Sequence, residues 1–299
     1  MFDQVTRLLD RGVDVRVFAF ERGDETESSP KFADYGLAPR VTYVECPRGW
    51  RRRFARAWPK ALRLARRQPL VLLRALNVLR YGRQALSLRL LYAADAVAGA
   101  EVDVVHCHFG PTAVEFVAVR EVAGLDAPLV TSFYGSNVSR VFRNHGRHYY
   151  ERLKQACSLY FVTSQDMQRR VVANGFPAER VRVLPEGADL HHSPFRLRAL
   201  ERNEELKIVA LGHFIEKMGF DDLIRALAIV KREATRPVSC LLVGAGPLEG
   251  DLRRLCAALG VDDIVRFVSF LPADETMALV DDAHLLVQPS KIAADGDMD

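Results

Sequence analysis

The sequence predicts an α/β protein of two domains, each a parallel sheet covered by helices. Three observations carry that prediction. Between residues 207 and 290, short β-rich apolar runs alternate with helical runs. Two strand-to-helix turns in this stretch are glycine-rich, LGHFIEKMG at 211–219 and VGAGPL at 243–248. The length, 299 residues, favours about two domains. In such sheets ligands sit at the carboxyl ends of the strands, where helix N-termini direct backbone N–H groups at phosphates.

The first half divides in order. A helix over 5–9 ends near Gly12, and 13–20 reads as a strand, followed by a polar acidic loop to Lys31. A second strand covers 41–44. Basic helical segments follow, broken near Pro59 and Pro69 and closing with a helix over 86–98. Residues 102–108 form a strand ending in Phe109-Gly110-Pro111, then a helix runs over 112–123. A strand at 129–133 turns at Gly135. A helix near 148–156 precedes a strand at 159–163, and Ser164 caps a helix reaching Asn174. A strand at 181–184 and a turn at 185–189 lead to a charged linker. The expected domains are 1–190 and 206–299, joined by 191–205.

Composition narrows the class. Apolar residues make up 49% and charged residues 27%, ordinary for a soluble globular chain. No apolar run of membrane-spanning length occurs, and the first residues lack a signal-peptide core, so an unexported, cytoplasmic protein is expected. The five cysteines form no C-x-x-C pair and read as reduced, mostly buried thiols. No zinc or other metal site is expected.

The net charge of +4 conceals a basic block. Between Glu45 and Asp95 stand twelve arginines, one lysine and no acid, so this interval carries +13 and the remainder −9. Apolar residues recur there at three- and four-residue spacing, Trp50 and Trp58 among them, with Arg51, Arg52 and Arg53 between. The segment suits docking on an anionic membrane surface, or a solvated cationic face packed on its domain. Nucleic-acid binding lacks a supporting motif.

Candidate ligand residues cluster at turns. Gly212 allows close approach to a backbone, and Lys217 supplies a point charge for a phosphate or is simply a solvated loop lysine. Gly244 and Gly246 follow a strand, but the next glycine is Gly250, so the turn is a poor dinucleotide fingerprint. His106 and His108 are expected to face opposite sides of their strand and to make a poor metal pair. Tyr134, Ser136 and Asn137 either bond a hydroxyl-rich ligand or close a turn.

Together these motifs resemble the retaining family-4 glycosyltransferases of the GT-B fold, especially the bacterial exopolysaccharide and colanic-acid type. The matching pieces are HCHFGP at 106–111, TSFYGSN at 131–137, VLPEGADL at 183–190 followed by Phe195, LGHFIEKMGFDDLIRA at 211–226, LLVGAGPLEGDL at 241–252, VRFVSFLP at 265–272 and LLVQPS at 285–290. They stand in family order across nearly the whole chain. The resemblance implies two Rossmann-like domains, the second binding a nucleotide sugar and the first receiving a lipid-linked or saccharide acceptor. It places Tyr134 and His108 at the catalytic centre. Gly212, His213, Lys217, Gly244 and Gly246 then hold the donor, with Phe270 and Leu271 near its base. His106, Gly110, Ser136 and Asn137 lie on the acceptor side.

Transfer with retention by front-face displacement is implied, with no metal required in principle, since cationic and backbone donors meet the charge on the leaving diphosphate. A carboxylate nucleophile is not identifiable in the sequence. Three positions depart from the family: His213 replaces an arginine, Tyr134 a histidine and Asn137 an aspartate. The resemblance also implies that an opening strand of the first domain and the glutamates and closing elements of the second lie outside this chain. The alternative is therefore an inactive fragment, or a membrane- or partner-binding module derived from such an enzyme.

Overall fold

The computed structural model describes residues 2–22, 30–187 and 199–298. The acidic loop and the motif residues 188–190 and Phe195 lie outside the described residues. The chain divides into two compact units. The first comprises Met1–Phe133 with Arg147–Val183, and the second Tyr134–Gly146 with Leu184–Asp299.

The first unit opens with α1 (Phe2–Asp10), β1 (Val17–Ala19), α2 (Pro30–Asp34) and β2 (Val41–Tyr43). β1 and β2 pair in parallel, Val17 opposite Val41. β1 is shorter than the strand expected over 13–20, because a strand extends only as far as its partner. Asp14 in the preceding stretch instead forms an ion pair with Arg40 at 2.6 Å.

Five helices follow: α3 (Trp50–Arg67), α4 (Pro69–Ala75), α5 (Val78–Tyr81), α6 (Arg83–Leu86) and α7 (Arg89–Val97). The expected break at Pro59 is absent. Proline removes the bond to the carbonyl of Ala55, but both residues are exposed, and water can take that carbonyl. Pro69 does mark a boundary, sitting at the start of α4, where its missing N–H is not needed. α3 packs inward through Ala57 and Leu64.

The expected outward role of Arg53 is also corrected. Its guanidinium turns inward and donates to the carbonyls of Pro47 at 2.8 Å and Ser87 at 3.0 Å. Lys60 and Arg63 grip the Asp95 carboxylate, Arg63 in a bidentate fork at 2.8 and 3.0 Å.

A four-stranded parallel sheet carries the rest of the unit, in the order β3 (Val105–His108), β4 (Leu129–Phe133), β5 (Cys157–Val162), β6 (Val181–Val183). Its helices are α8 (Gly110–Ala123), α11 (Glu151–Ala156) and α12 (Gln165–Ala173). α8 starts with Pro111 in its first turn and ends at Gly124 in the left-handed conformation. The cap expected at Ser164 is present, its Oγ accepting the Met167 N–H at 3.2 Å.

In the second unit the segment after β4 forms α9 (Gly135–Val138) and α10 (Arg140–His145), where the sequence suggested only a turn. The sheet order is β10 (Leu285–Leu286), β7 (Leu206–Leu211), β8 (Val238–Val243), β9 (Val265–Val268), all parallel. Helices α13 (Phe220–Glu233), α14 (Glu249–Leu259) and α15 (Ala273–Asp282) connect them.

β7 is apolar on both faces because both are covered. Ile208 and Ala210 join Phe214, Ile224 and Leu242 in the larger core, while Val209 packs with Val243 and Ala283 on the other side. Cys107, Cys157, Cys240 and Cys256 are buried free thiols, and Cys46 is half-buried. Burial pushes the Cys107 and Cys240 thiols up to about 12.

Candidate functional site

The chemistry-bearing residues gather at the carboxyl ends of the strands in each unit. In the first unit, β3 ends in His106, Cys107 and His108. Residues two apart on a strand share a face, so the expectation that the two histidines face opposite sides is wrong. Their rings stack at 4.6 Å between centroids, with planes 22° apart. His106 Nε2 lies 2.8 Å from Ser132 Oγ at the end of β4.

Burial lowers the pKa of His106 and, with the neighbouring His106 ring as the second cause, pushes His108 down to about 4. Both imidazoles are therefore neutral near pH 7. A pH effect on stability follows. Unfolded His108 takes up a proton near 6.5, whereas the folded chain resists until about 4. In that window the unfolded chain binds more protons, so stability is full above 6.5 and is lost as pH falls toward 4. After discounting for partial solvent exposure, about 1–2 kcal/mol is expected to be lost. Urea titrations across this range should show the slope in the parent and a flatter one in His108→Gln.

The turn after β3 is strained. Phe109 has φ 71° and ψ 132°, a region that non-glycine residues seldom occupy, and its side chain is half exposed. Beside it, a Cβ on Gly110 would collide with the Phe133 ring and approach the Tyr150 hydroxyl to 2.6 Å. Packing of α8 on β4 thus suffices to account for Gly110.

In the second unit, Tyr134, Ser136 and Asn137 form the first turn of α9. Asn137 is buried, and its Oδ1 accepts the Tyr134 N–H at 3.4 Å while its Nδ2 donates to Ser136 Oγ at 3.5 Å. That geometry favours turn closure for Asn137, and leaves Tyr134 and Ser136 half-buried.

The β7–α13 and β8–α14 turns pack directly on each other. Gly212 N–H donates to Val243 O at 3.0 Å, and Phe214 N–H to Ala245 O at 2.9 Å. A Cβ on Gly244 would overlap the Gly212 carbonyl, and one on Gly246 would lie 2.6 Å from the Phe214 carbonyl oxygen. These glycines set the spacing of the two turns. At the rim, the exposed His213 ring meets Phe270 edge-on at 4.9 Å, and Phe270 is 52% exposed. Leu271 is half-buried, and its carbonyl accepts from Thr276 Oγ1 at 3.3 Å.

Lys217 lies in the same turn, half-buried and in contact with Lys291 and Asp297. Its backbone carbonyl accepts the Lys291 N–H at 2.8 Å, and its Nζ lies 3.8 Å from Asp297 Oδ2. Asp297 is buried and also accepts from Ser139 Oγ at 3.3 Å. Arg143 Nη1 donates to Ala294 O at 3.0 Å, and Glu216 Oε1 accepts the Ala294 N–H at 2.9 Å. The sequence reading singled out Lys217 but missed Asp297, Ser139 and Arg143. Asp297 has a local signal only in the Asp295-Gly296-Asp297 run, Ser139 and Arg143 have none, and nothing local ties that run to α9 and α10.

The N-terminus of α13 is not an open anion site. Its first-turn acids Asp221 and Asp222 are held by Lys291 and Arg225, with Lys291 Nζ 2.7 Å from Asp221 Oδ1. The positive charge of this turn resides on Lys217. Among the described residues, no three His, Cys, Asp or Glu side chains converge as metal ligands.

Residues 1–192 match the family described as Glycosyltransferase Family 4, and residues 195–296 match Glycosyl transferases group 1. The chain is 29% identical over 303 residues to the putative colanic acid biosynthesis glycosyltransferase WcaL of Escherichia coli K12, covering 100% of the chain and 73% of that protein. It is 31% identical over 312 residues to the amylovoran biosynthesis glycosyltransferase AmsK of Erwinia amylovora, covering 100% and 74%. Among solved structures it is similar to Anabaena HepE in complex with UDP and glucose, at 18% identity and TM-score 0.61 over 97% of the chain and 69% of HepE. It is also similar to a glycosyltransferase from Rickettsia africae, at 15% identity and TM-score 0.54 over 95% and 66%. The α/β fold with parallel sheets is thus of the GT-B type.

Proposed function

Because the chain belongs to glycosyltransferase family 4, we propose that it moves a sugar from a nucleotide-sugar donor to a lipid-linked or saccharide acceptor in the assembly of a bacterial surface polysaccharide, with retention of configuration. The observation that carries the donor half is the Lys217 turn. A half-buried lysine stands in one of two glycine-spaced turns, and the same turn carries His213 against the exposed Phe270 ring. A diphosphate fits the lysine, and a planar base fits the Phe270 ring.

HepE, which shares the fold, is seen with UDP, and the names of WcaL and AmsK associate those proteins with extracellular polysaccharides. Both support the reading. In it, Lys217 meets the negative charge that develops on the leaving diphosphate, so the departure needs no bound metal. The diphosphate competes with the Asp297 carboxylate for the lysine. His108, neutral near pH 7, acts by hydrogen bonding to the acceptor side and not as a cation.

Calorimetric titration with UDP, GDP and ADP tests the proposal. One nucleotide is expected to bind saturably and thereby identify the donor class. A folded chain that binds none of the three would overturn the donor assignment.

A further inference from the structure

The basic block forms a surface with three distinct sides along α3. One side packs inward through Ala57 and Leu64, helped by Arg53 and Lys60. A second presents Trp50, Phe54, Trp58 and Leu62 at four-residue intervals, with Trp50 67% and Trp58 73% exposed. Residues four apart follow one another along a helix, so these four form a continuous stripe. A third side carries Arg52, Arg56, Arg66 and Arg67, while Arg51 lies beside the stripe, its guanidinium carbon 5.8 Å from the Trp50 ring centroid; none of the five has a carboxylate partner among the described residues. Leu73 on α4 and Leu79 on α5 extend the exposed apolar surface, Leu79 being fully exposed.

This arrangement needs an explanation beyond solubility. A soluble surface scatters its apolar residues, and uncovered tryptophans in register mark a contact. The neighbouring arginines select the partner. Their charge is unneutralised, because the acids within reach, Asp95 and Glu121, already hold Lys60, Arg63, Arg80 and Arg152. A second copy of the chain would bring like charge against like charge. Nucleic acid would meet the arginines but leave the leucines in water. An anionic bilayer satisfies both sides at once, taking the aromatics into the headgroup–acyl boundary and the arginines at the headgroups. Among the described residues no helix is long and apolar enough to cross a membrane, so the contact is peripheral.

We infer that α3, continued by α4 and α5, is a docking surface for an anionic lipid bilayer. The inference is independent of Lys217 and the donor turn, so either can fail without the other.

The sequence supplies its own probe. Trp50 and Trp58 are the only two tryptophans in the chain, and both lie in the stripe. Tryptophan emission of the full chain would be recorded with vesicles of phosphatidylcholine alone or mixed with phosphatidylglycerol, alongside sedimentation. The expected result is co-sedimentation with a blue shift for the anionic vesicles only, weakened by high salt. Each of Arg51→Gln, Arg52→Gln and Arg56→Gln should lower partitioning about fivefold, with Arg169→Gln on α12 as a neutral control.

Circular dichroism confirms that each variant is folded. Three outcomes overturn the proposal. One is absence of binding to anionic vesicles at low salt. Another is sedimentation without a blue shift, which assigns contact to a different surface. The third is a blue shift that rises with protein concentration in the absence of lipid, which assigns the stripe to a second copy.

Discussion

Lys217→Ala is expected to reduce kcat/KM about 10²–10³-fold and to abolish detectable nucleotide diphosphate binding. A charge-assisted contact to a phosphate contributes about 1.5–3 kcal/mol in the ground state, and more as the leaving group gains charge. Among the described residues the neighbouring cations are engaged elsewhere, Arg143 donating to the Ala294 carbonyl at 3.0 Å. His213, the other candidate in the turn, is exposed and packs edge-on to Phe270, and Lys291 is held by Asp221 and Asp222.

Folding should survive the change, since the ion pair with Asp297 is long at 3.8 Å. Asp297→Asn is the informative counterpart. It removes the competing carboxylate while keeping one acceptor oxygen for the Ser139 hydroxyl, so nucleotide binding should persist or tighten. Equal loss of binding in both variants would show that the terminal segment, and not the charge on Lys217, makes the site. Titration calorimetry on the two proteins separates these cases.

Gly244→Ala is expected to be the most destabilising single methyl group in the second unit. The added Cβ would overlap the backbone carbonyl of Gly212, and φ at this glycine is 153°, which side chains rarely adopt. Neither atom belongs to a flexible side chain, so one of the two turns has to move. The hydrogen bonds from Gly212 N–H to Val243 and from Gly244 N–H to Val268 would be displaced with it.

A loss of about 3 kcal/mol or more is expected, which lowers Tm by about 6–12 °C in a chain of this size. Gly250→Ala gives the contrast. This glycine lies in α14, and its added Cβ would meet nothing nearer than the Arg254 guanidinium at 3.5 Å. There the substitution should be neutral or stabilising by about 0.5–1 kcal/mol. Thermal unfolding of the pair, followed by circular dichroism, distinguishes turn packing from glycine loss in general.

What was legible in the sequence was local or periodic. The strands of the second unit announced themselves as apolar runs such as KIVAL and SCLLV, and Ser164 capped α12 because an N-cap needs only its own next three residues. Lys217 was legible because a lysine between two glycines at a strand end is a local pattern. The failures have physical causes too. Pro59 did not break α3, because Ala55 and Pro59 lie on an exposed face where water can take the orphaned carbonyl. The strand at 13–20 shrank to the length of its partner. Arg53 looked like its neighbours in sequence, yet rotation along the helix aimed it at Pro47 and Ser87. The histidine pair was misjudged on the period of a strand. The link from Ser139 and Arg143 to Asp297 and Ala294 spans about half the chain and has no local signature.

That last link bears on how the protein can be divided. The two family matches meet near residues 192–195, the natural place to cut for separate expression. Yet α9 and α10, which belong by sequence to the first piece, are held by the end of the second. A severed first piece would carry thirteen residues stripped of their packing partners. A severed second piece would expose the underside of its terminal segment. Co-expression of the two pieces, with residues 134–146 free to reassociate, would keep these contacts where simple truncation would not.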